Sequence, residues 1–368
     1  MKRIVKKSAP QELRFAEVLI DWQKQHGRHQ LPWQRTRDAY RIWLSEIMLQ
    51  QTQVATVIPY YARFLERFPD VAALAAAPTE EVMAHWSGLG YYTRARNLHR
   101  CAQQIVAHHA GRFPSDPETL ASLPGIGKST AAAIAAFAYG ARAAILDGNV
   151  KRVFCRVFGI EGFPGQVAVE RDLWQRAEAL LPARDIEAYT QGLMDLGATL
   201  CTRTRPACDR CPMQSRCIAH ATGRTSELPA RKPKKAIPEK STVMLVVVHA
   251  GEILMEQRPP EGIWGGLLSL PELNRLLSGD SDVDLHQQLA LALSSFGDID
   301  DIAVLNSFIH GFTHYRLSVT PVHVTLRERY LMASQSSYQW RALAQINEAA
   351  LPSPVRKLLA TLSLAAVH

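Results

Sequence analysis

Six cysteines in 368 residues are too few to staple a disulfide scaffold, and four of them crowd into residues 201–217, which points to a metal rather than to cross-links. Long apolar runs are also missing: Arg142 interrupts the Ala-rich stretch 131–146, so no segment approaches the roughly 18 residues of a membrane span. The N-terminus, MKRIVKKSAPQELR, begins basic but has no apolar core behind it, which argues against a secretory signal and leaves the expectation of a soluble intracellular protein. Neither an internal repeat nor a low-complexity tract is present. Acidic residues are the minority, 34 Asp and Glu against 42 Lys and Arg, and the formal charge of +8 favours an anionic partner, of which nucleic acid is the commonest. Charge by itself does not identify that partner.

What is present is enough apolar material, 47% of the residues, to bury two or three separate cores. Between residues 10 and 225 apolar positions recur at three-to-four spacing, at 13–22 (Leu13, Val18, Leu19, Trp22), 43–58, 71–76, 129–139 and 187–200. Breaks at Phe68-Pro69, Gly88-Leu89-Gly90 and Leu123-Pro124-Gly125 separate them, giving an all-α region of many short helices. Residues 226–240, SELPARKPKKAIPEK, carry three prolines and five Lys or Arg and read as a linker. Beyond it, STVMLVVVHAGEILMEQR and FTHYRLSVTPVHVTL are β-rich and 343–364 turns helical, so 241–368 reads as a separate α+β domain.

The cysteine spacing is Cys201-x6-Cys208-x2-Cys211-x5-Cys217. Structural zinc usually takes two CxxC pairs set apart by a longer loop, whereas here one close pair exists and all four thiols lie within 17 residues. A compact loop around a [4Fe–4S] cluster fits better, with zinc as the alternative. Arg203, Arg205, Arg210 and Arg216 lie in or beside this loop, where they either offset the charge of a cluster or project to phosphates. Cys101 and Cys155 read as buried helix residues.

Residues 119–131, TLASLPGIGKSTA, describe a helix ending at Leu123, a Pro-Gly-x-Gly turn and a new helix from about Ser129. Gly125 and Gly127 let the backbone approach a partner, the N–H groups at the new helix start can hold a phosphate, and Lys128 adds charge. A bare GxG is only a turn, but with helices on both sides the pattern is specific for a helix-hairpin-helix that grips DNA. In ILDGNVKRV, Asp147 taken alone is no more than a helix N-cap. Asn149 can orient its carboxylate, and Lys151 and Arg152 supply charge for a backbone phosphate. In WLSEIMLQQTQV, Glu46 is flanked by Trp43, Leu44, Ile47 and Leu49; most helical glutamates are solvated, but desolvation among such neighbours holds the proton near neutral pH. Cleavage of an N-glycosidic bond needs this pair: one protonated carboxyl to charge the leaving base and one ionised carboxylate to stabilise an oxocarbenium-like sugar.

LPGIGKSTA, ILDGNVKRV and the four-cysteine loop, in this order, resemble the helix-hairpin-helix DNA glycosylases that carry an iron–sulfur cluster. PWQ at 32–34, SEIMLQQTQV at 45–54, GLGYYTRARNL at 88–98 and the β-rich C-terminal extension are similar, within that group, to the MutY adenine DNA glycosylase family, over nearly the whole chain. The resemblance implies a multidomain protein. Its helical catalytic region over 1–225 combines a six-helix helix-hairpin-helix domain at about 30–140 with a [4Fe–4S] cluster domain built from the N-terminal helix and about 141–225. A linker at 226–240 and a MutT-like (Nudix-like) α+β domain over 241–368 complete it. The implied activity is hydrolytic removal of adenine flipped from mispairs with 8-oxoguanine or guanine in double-stranded DNA, by a monomer in the cytoplasm, at the nucleoid of a bacterial cell.

The same resemblance makes Glu46 the general acid and Asp147 the carboxylate facing the sugar, with Asn149 assisting. Leu49, Gln51 and Tyr91 fall where the family wedges side chains into the duplex, and Thr52 and Leu89 where contacts reach 8-oxoguanine. Leu31, Trp33 and Gln191 match the adenine pocket; Gly125, Gly127, Lys128, Ser129 and Lys151 match the grip on the DNA backbone. Relatives that also nick the strand carry a Schiff-base lysine two residues after the last hairpin glycine. Here that position is Ser129, and Lys128, one residue off, is swung away by about 100° on a helix, so a monofunctional enzyme is expected.

In the C-terminal domain GIWGGLLSLPE at 262–272 is the clearest match, but ELNRLLSGDSDVD lacks the glutamate-rich metal-binding helix of a pyrophosphohydrolase. Recognition without hydrolysis is expected there. Phe312, Thr313 and His314 stand where the family has Phe-Ser-His against 8-oxoguanine; Thr313 keeps the hydroxyl and adds a methyl. The competing readings are a bifunctional thymine-glycol-type glycosylase, a non-catalytic iron–sulfur DNA-binding protein, and a nucleotide pyrophosphohydrolase with a DNA-binding arm.

Overall fold

The computed structural model describes residues 14–232, 237–259, 261–276, 284–312, 314–330 and 337–365; Leu13, Thr313 and the linker residues 233–236 lie outside them. The chain divides into two compact units, Met1–Ala76 with Asn97–Lys234, and Ala77–Arg96 with Lys235–His368.

The first unit is helical. Its central helix, Ala39–Leu49, is capped by Asp38, whose side chain accepts from Tyr40 N at 2.9 Å. Tyr40, Ile42, Trp43, Leu44, Ser45, Ile47 and Met48 are buried, seven of its 11 residues, as befits a helix inside a core rather than on a surface. It packs against Lys128–Tyr139, whose small buried residues Ala131, Ala132, Ala133, Ala135, Ala136 and Ala138 allow close approach. That second helix follows Pro117–Ala121 and starts at Lys128 with Gly127 as its N-cap, one residue from the expected start. Phe15 and Leu19 of the N-terminal helix Phe15–His26 share a core with Val153 and Phe154 of Gly148–Val157 and with Leu193, Leu200 and Cys217, so the cysteine loop is anchored on both ends of this unit's sequence.

Two expected helices are altered. The apolar run 43–58 stops at Leu49 and restarts at Val54, because Gln51 takes φ +58°, which a right-handed helix cannot carry. The run 187–200 is regular only over Ile186–Asp195; Leu196–Leu200 forms a π-helical turn, a wider turn frequent at functional sites.

The second unit carries a seven-stranded sheet of β1 (Glu239–His249), β2 (Glu252–Gln257), β3 (Leu268–Ser269), β4 (Gly297–Val304), β5 (Phe308–Gly311), β6 (Arg316–Arg329) and β7 (Tyr338–Ala342). The order is β3-β2-β1-β6-β4, with β7 on β2 and β5 on β6. β1 and β6 are parallel from Glu239↔Arg316 to Val248↔Thr325, and the other pairs are antiparallel. Leu245, Val247, Val322 and Val324 of the two central strands pack with Leu289 and Leu293 of the helix Leu285–Leu293. Ser353–Ala365 supplies the helical end expected from the sequence. Among the described residues no helix is long and apolar enough to cross a membrane.

Candidate active site

Glu46 lies on the buried helix Ala39–Leu49 and opens on a cavity of about 530 Å³ lined also by Leu31, Trp33, Leu49 and Gln191. The three residues expected in the base pocket therefore meet around the expected acid. Burial, reinforced by the negative charge of Asp147, pushes the Glu46 carboxyl up to about 8, so it is protonated at neutral pH.

Asp147 is the N-cap of Gly148–Val157: Oδ1 accepts from Val150 N at 2.8 Å. The modest role open to it from sequence is real, but it occupies one oxygen only. Oδ2 accepts a longer bond, 3.4 Å, from Asn149 Nδ2. Burial raises the Asp147 carboxyl, while the N–H groups of Val150 and Asn149 and the charge of Arg152 hold it back. Glu46 is raised by burial and a like charge, whereas Asp147 has donors and a cation that counter its burial.

Arg152 was expected to serve phosphate, and the fold spends it inward. Its Nε donates to Cys201 O at 2.7 Å, and its Nη2 to Gly197 O and Asn149 Oδ1, both at 2.8 Å. This fixes the Asn149 amide with its oxygen toward Arg152 and its NH2 toward Asp147. Lys151 pairs with Glu170 at 2.5 Å and Lys128 with Glu178 at 2.9 Å, with Lys128 also over the Trp174 ring at 4.1 Å. Ser129, at the Schiff-base position, accepts from Leu146 N at 3.0 Å through Oγ and so ties the hairpin helix to the segment leading into Asp147. Gly125 has φ +78°, and a Cβ there would stand 2.8 Å from Asn97 Cβ, so the turn needs glycine on both counts. Gln51 and Tyr91 are non-glycine residues in left-handed conformations, φ +58° and +51°, strain of the kind kept at sites of function. Thr52 is half-buried, Tyr91 is exposed and Leu89 is buried.

Sequence reasoning missed Arg28 and Asp195. Asp195 is fully buried and accepts from Arg28 Nε at 2.7 Å, Arg28 N at 2.8 Å and Gln191 Nε2 at 2.8 Å. That bond holds the Gln191 amide nitrogen, and Gln191 lines the cavity. The i, i+4 spacing of Gln191 and Asp195 on one helix was a usable signal; Arg28, 167 residues from Asp195, gave none.

The four clustered thiols line one small apolar cavity together with Arg156. Arg156, also unforeseen, is 3% exposed and donates to Cys201 Sγ at 3.4 Å, Thr202 O at 2.7 Å and Arg203 O at 3.1 Å. Burial pushes Cys211 up to about 12 and lifts Cys208 and Cys217. Among the described residues no three His, Cys, Asp or Glu side chains converge enough to share one ion. Arg203, Arg205 and Arg210 are exposed on the loop.

In the second unit Phe312 and His314 line a cavity of about 540 Å³ with Tyr91, Trp264 and His310. Phe312 stacks on Tyr315 at 4.5 Å, and Trp264, unforeseen and at φ +56°, stands 5.7 Å from Phe312. The neighbouring Thr313 is outside the described residues.

Residues 44–179 match the HhH-GPD superfamily of base excision DNA repair proteins, and residues 242–361 match the NUDIX domain. The adenine DNA glycosylase of Buchnera aphidicola subsp. Baizongia pistaciae is 35% identical, over 94% of this chain and 95% of its own length. That of Mus musculus is 34% identical over 94% of this chain and 77% of its own. A solved thermostable thymine-DNA glycosylase aligns at TM-score 0.52 and 29% identity, over 58% of this chain and 97% of its own, in keeping with a helical glycosylase fold. Identity of this extent along both units, with no large part of the chain left over, places the protein in a family: it belongs to the adenine DNA glycosylases, hydrolases of N-glycosyl bonds in base excision repair.

Proposed function

We propose that the enzyme removes adenine mispaired with 8-oxoguanine or guanine from duplex DNA, with Glu46 as acid and Asp147 as the carboxylate facing the sugar. The observation that carries this is the Glu46 carboxyl, pushed up to about 8 and opening on the cavity that Leu31, Trp33 and Gln191 line. The flipped base enters that cavity. The Gln191 carbonyl oxygen accepts from the exocyclic amine of adenine; guanine offers an oxygen at the same place, leaving two acceptors face to face. Glu46 gives its proton to a ring nitrogen of the base, the bonding pair of the glycosidic bond leaves with the base, and the Asp147 carboxylate stabilises the positive sugar. Water adds to the anomeric carbon, and its proton returns to the Glu46 carboxylate.

Cys201, Cys208, Cys211 and Cys217 hold a [4Fe–4S] cluster in this reading, supported by their shared cavity. A bound cluster supplies the positive charge that ionises the thiols and braces the exposed arginine loop. Gly125, Gly127, Lys128, Ser129 and Lys151 grip the DNA backbone, with Lys128 and Lys151 exchanging Glu178 and Glu170 for phosphates. Leu49, Gln51 and Tyr91 enter the duplex, and Thr52 and Leu89 reach the lesion.

The test is incubation with a duplex carrying adenine opposite 8-oxoguanine. Alkali should cleave the strand at the adenine, and without alkali the strand should stay whole. Borohydride should trap no covalent adduct; a stoichiometric adduct would show a Schiff-base nucleophile and overturn the monofunctional reading. In the second unit, His314→Ala in the full chain should lower the preference for 8-oxoguanine over guanine opposite adenine by about tenfold, through loss of a contact to the lesion. An unchanged preference removes His314 from lesion reading.

A further inference from the structure

Gly197 lies in the π-helical turn Leu196–Leu200, and a Cβ built on it would stand 2.5 Å from Asn149 Cβ, 3.1 Å from Asn149 Cα and 3.2 Å from Asn149 Cγ. Non-bonded carbons do not sit as close as 2.5 Å, and the other two approaches are tight; because Cβ is fixed to the backbone, Asn149 could give way only by moving with the start of its helix. The Gly197 backbone is not left-handed, so its requirement for glycine is space and not conformation. The same residue anchors the network from behind: Arg152 Nη2 donates at 2.8 Å both to Gly197 O and to Asn149 Oδ1, and Asn149 Nδ2 donates to Asp147 Oδ2 at 3.4 Å. The wider turn therefore serves a purpose that a regular helix through 187–200 would not, bringing a side-chain-free residue against Asn149.

We propose that Gly197 is a positioning residue for glycosidic-bond cleavage: the missing side chain is what lets Asn149 seat against Asp147 and set the carboxylate that faces the sugar. This rests on the assignment of Asp147 and Asn149 to the reaction.

Five full-length proteins decide it: the parent, Gly197→Ala, Asn149→Gly, the double variant and Asp147→Asn. Asn149→Gly removes Cβ, the carbon that the new methyl would strike, and Cγ with it, leaving only Cα at a tight 3.1 Å. Adenine release is followed under single-turnover conditions across pH, with cluster absorbance and affinity for a duplex bearing an uncleavable adenosine analogue. Gly197→Ala should slow release at least about 30-fold when Asn149 is present, while absorbance and affinity stay within about threefold of the parent. Its acid limb should move to higher pH, since Asp147 loses a hydrogen bond that favours its ionised form. In the Asn149→Gly background the same change should cost less than about threefold, because the two positions act through one contact.

Equal slowing in both backgrounds, or a parent-like rate for Gly197→Ala, overturns the proposal. If Gly197→Ala does not fold or loses its cluster, the double variant must recover both; a double variant just as defective overturns it too. Asp147→Asn at the parent rate would instead overturn the underlying assignment, and the role of Gly197 with it.

Discussion

Asp147→Asn should lower the single-turnover rate of adenine release by at least about 10³-fold while duplex affinity and cluster absorbance stay at the parent level. The substitution separates the two roles that Asp147 combines. Asparagine caps a helix about as well as aspartate, so Val150 N keeps its acceptor and Gly148–Val157 keeps its start. What goes is the negative charge that the proposed mechanism sets opposite the sugar. The loss should also let Glu46 titrate at lower pH, because Asp147 is the second of the two causes that raise it. A rate within about tenfold of the parent would leave Asp147 as a cap and nothing more.

Glu46→Gln should cost a comparable amount, about 10²–10⁴-fold, through loss of the transferable proton. It carries a second signature in stability. The unfolded chain ionises Glu46 near 4.5, while the folded protein retains the proton until about 8. Between those values the native state binds more protons than the unfolded one, so stability contributed below pH 4.5 is progressively lost as pH rises to about 8. Glutamine has no such dependence. Relative to the parent, Glu46→Gln should therefore gain stability with rising pH, on the order of 3 kcal/mol between pH 5 and 8.5, read from denaturant unfolding at the two values. A difference that does not change with pH would mean that Glu46 is solvated and ionised, and would remove it as the acid.

Much of this site was legible before the fold was known. Glu46 stood among apolar neighbours in a helical run, and the cysteine spacing and the Gly-x-Gly hairpin named their own chemistry. Leu31, Trp33 and Gln191 came from motif similarity and meet around one cavity. What could not be read depends on partners distant in sequence. Arg28 and Asp195 form their ion pair across 167 residues. The charges of Arg152, Lys151 and Lys128 were visible, but not that the first turns inward to Cys201 and Gly197 or that the others rest on Glu170 and Glu178. Periodicity carried the run 43–58 through Gln51, since a pattern of apolar residues does not report one residue with a left-handed backbone. Gly197 likewise passed for an ordinary helical glycine, because the space it leaves is filled by a residue 48 positions earlier, Asn149.

The most direct measurement of the division of labour between the carboxylates is the single-turnover rate of adenine release as a function of pH, at saturating enzyme on an A:8-oxoguanine duplex. The proposed mechanism requires Glu46 protonated and Asp147 ionised, so the rate should be bell-shaped, with an alkaline limb centred near 8 that falls about tenfold per pH unit beyond it. A rate that stays level or climbs through pH 9 would contradict a protonated Glu46 as the acid.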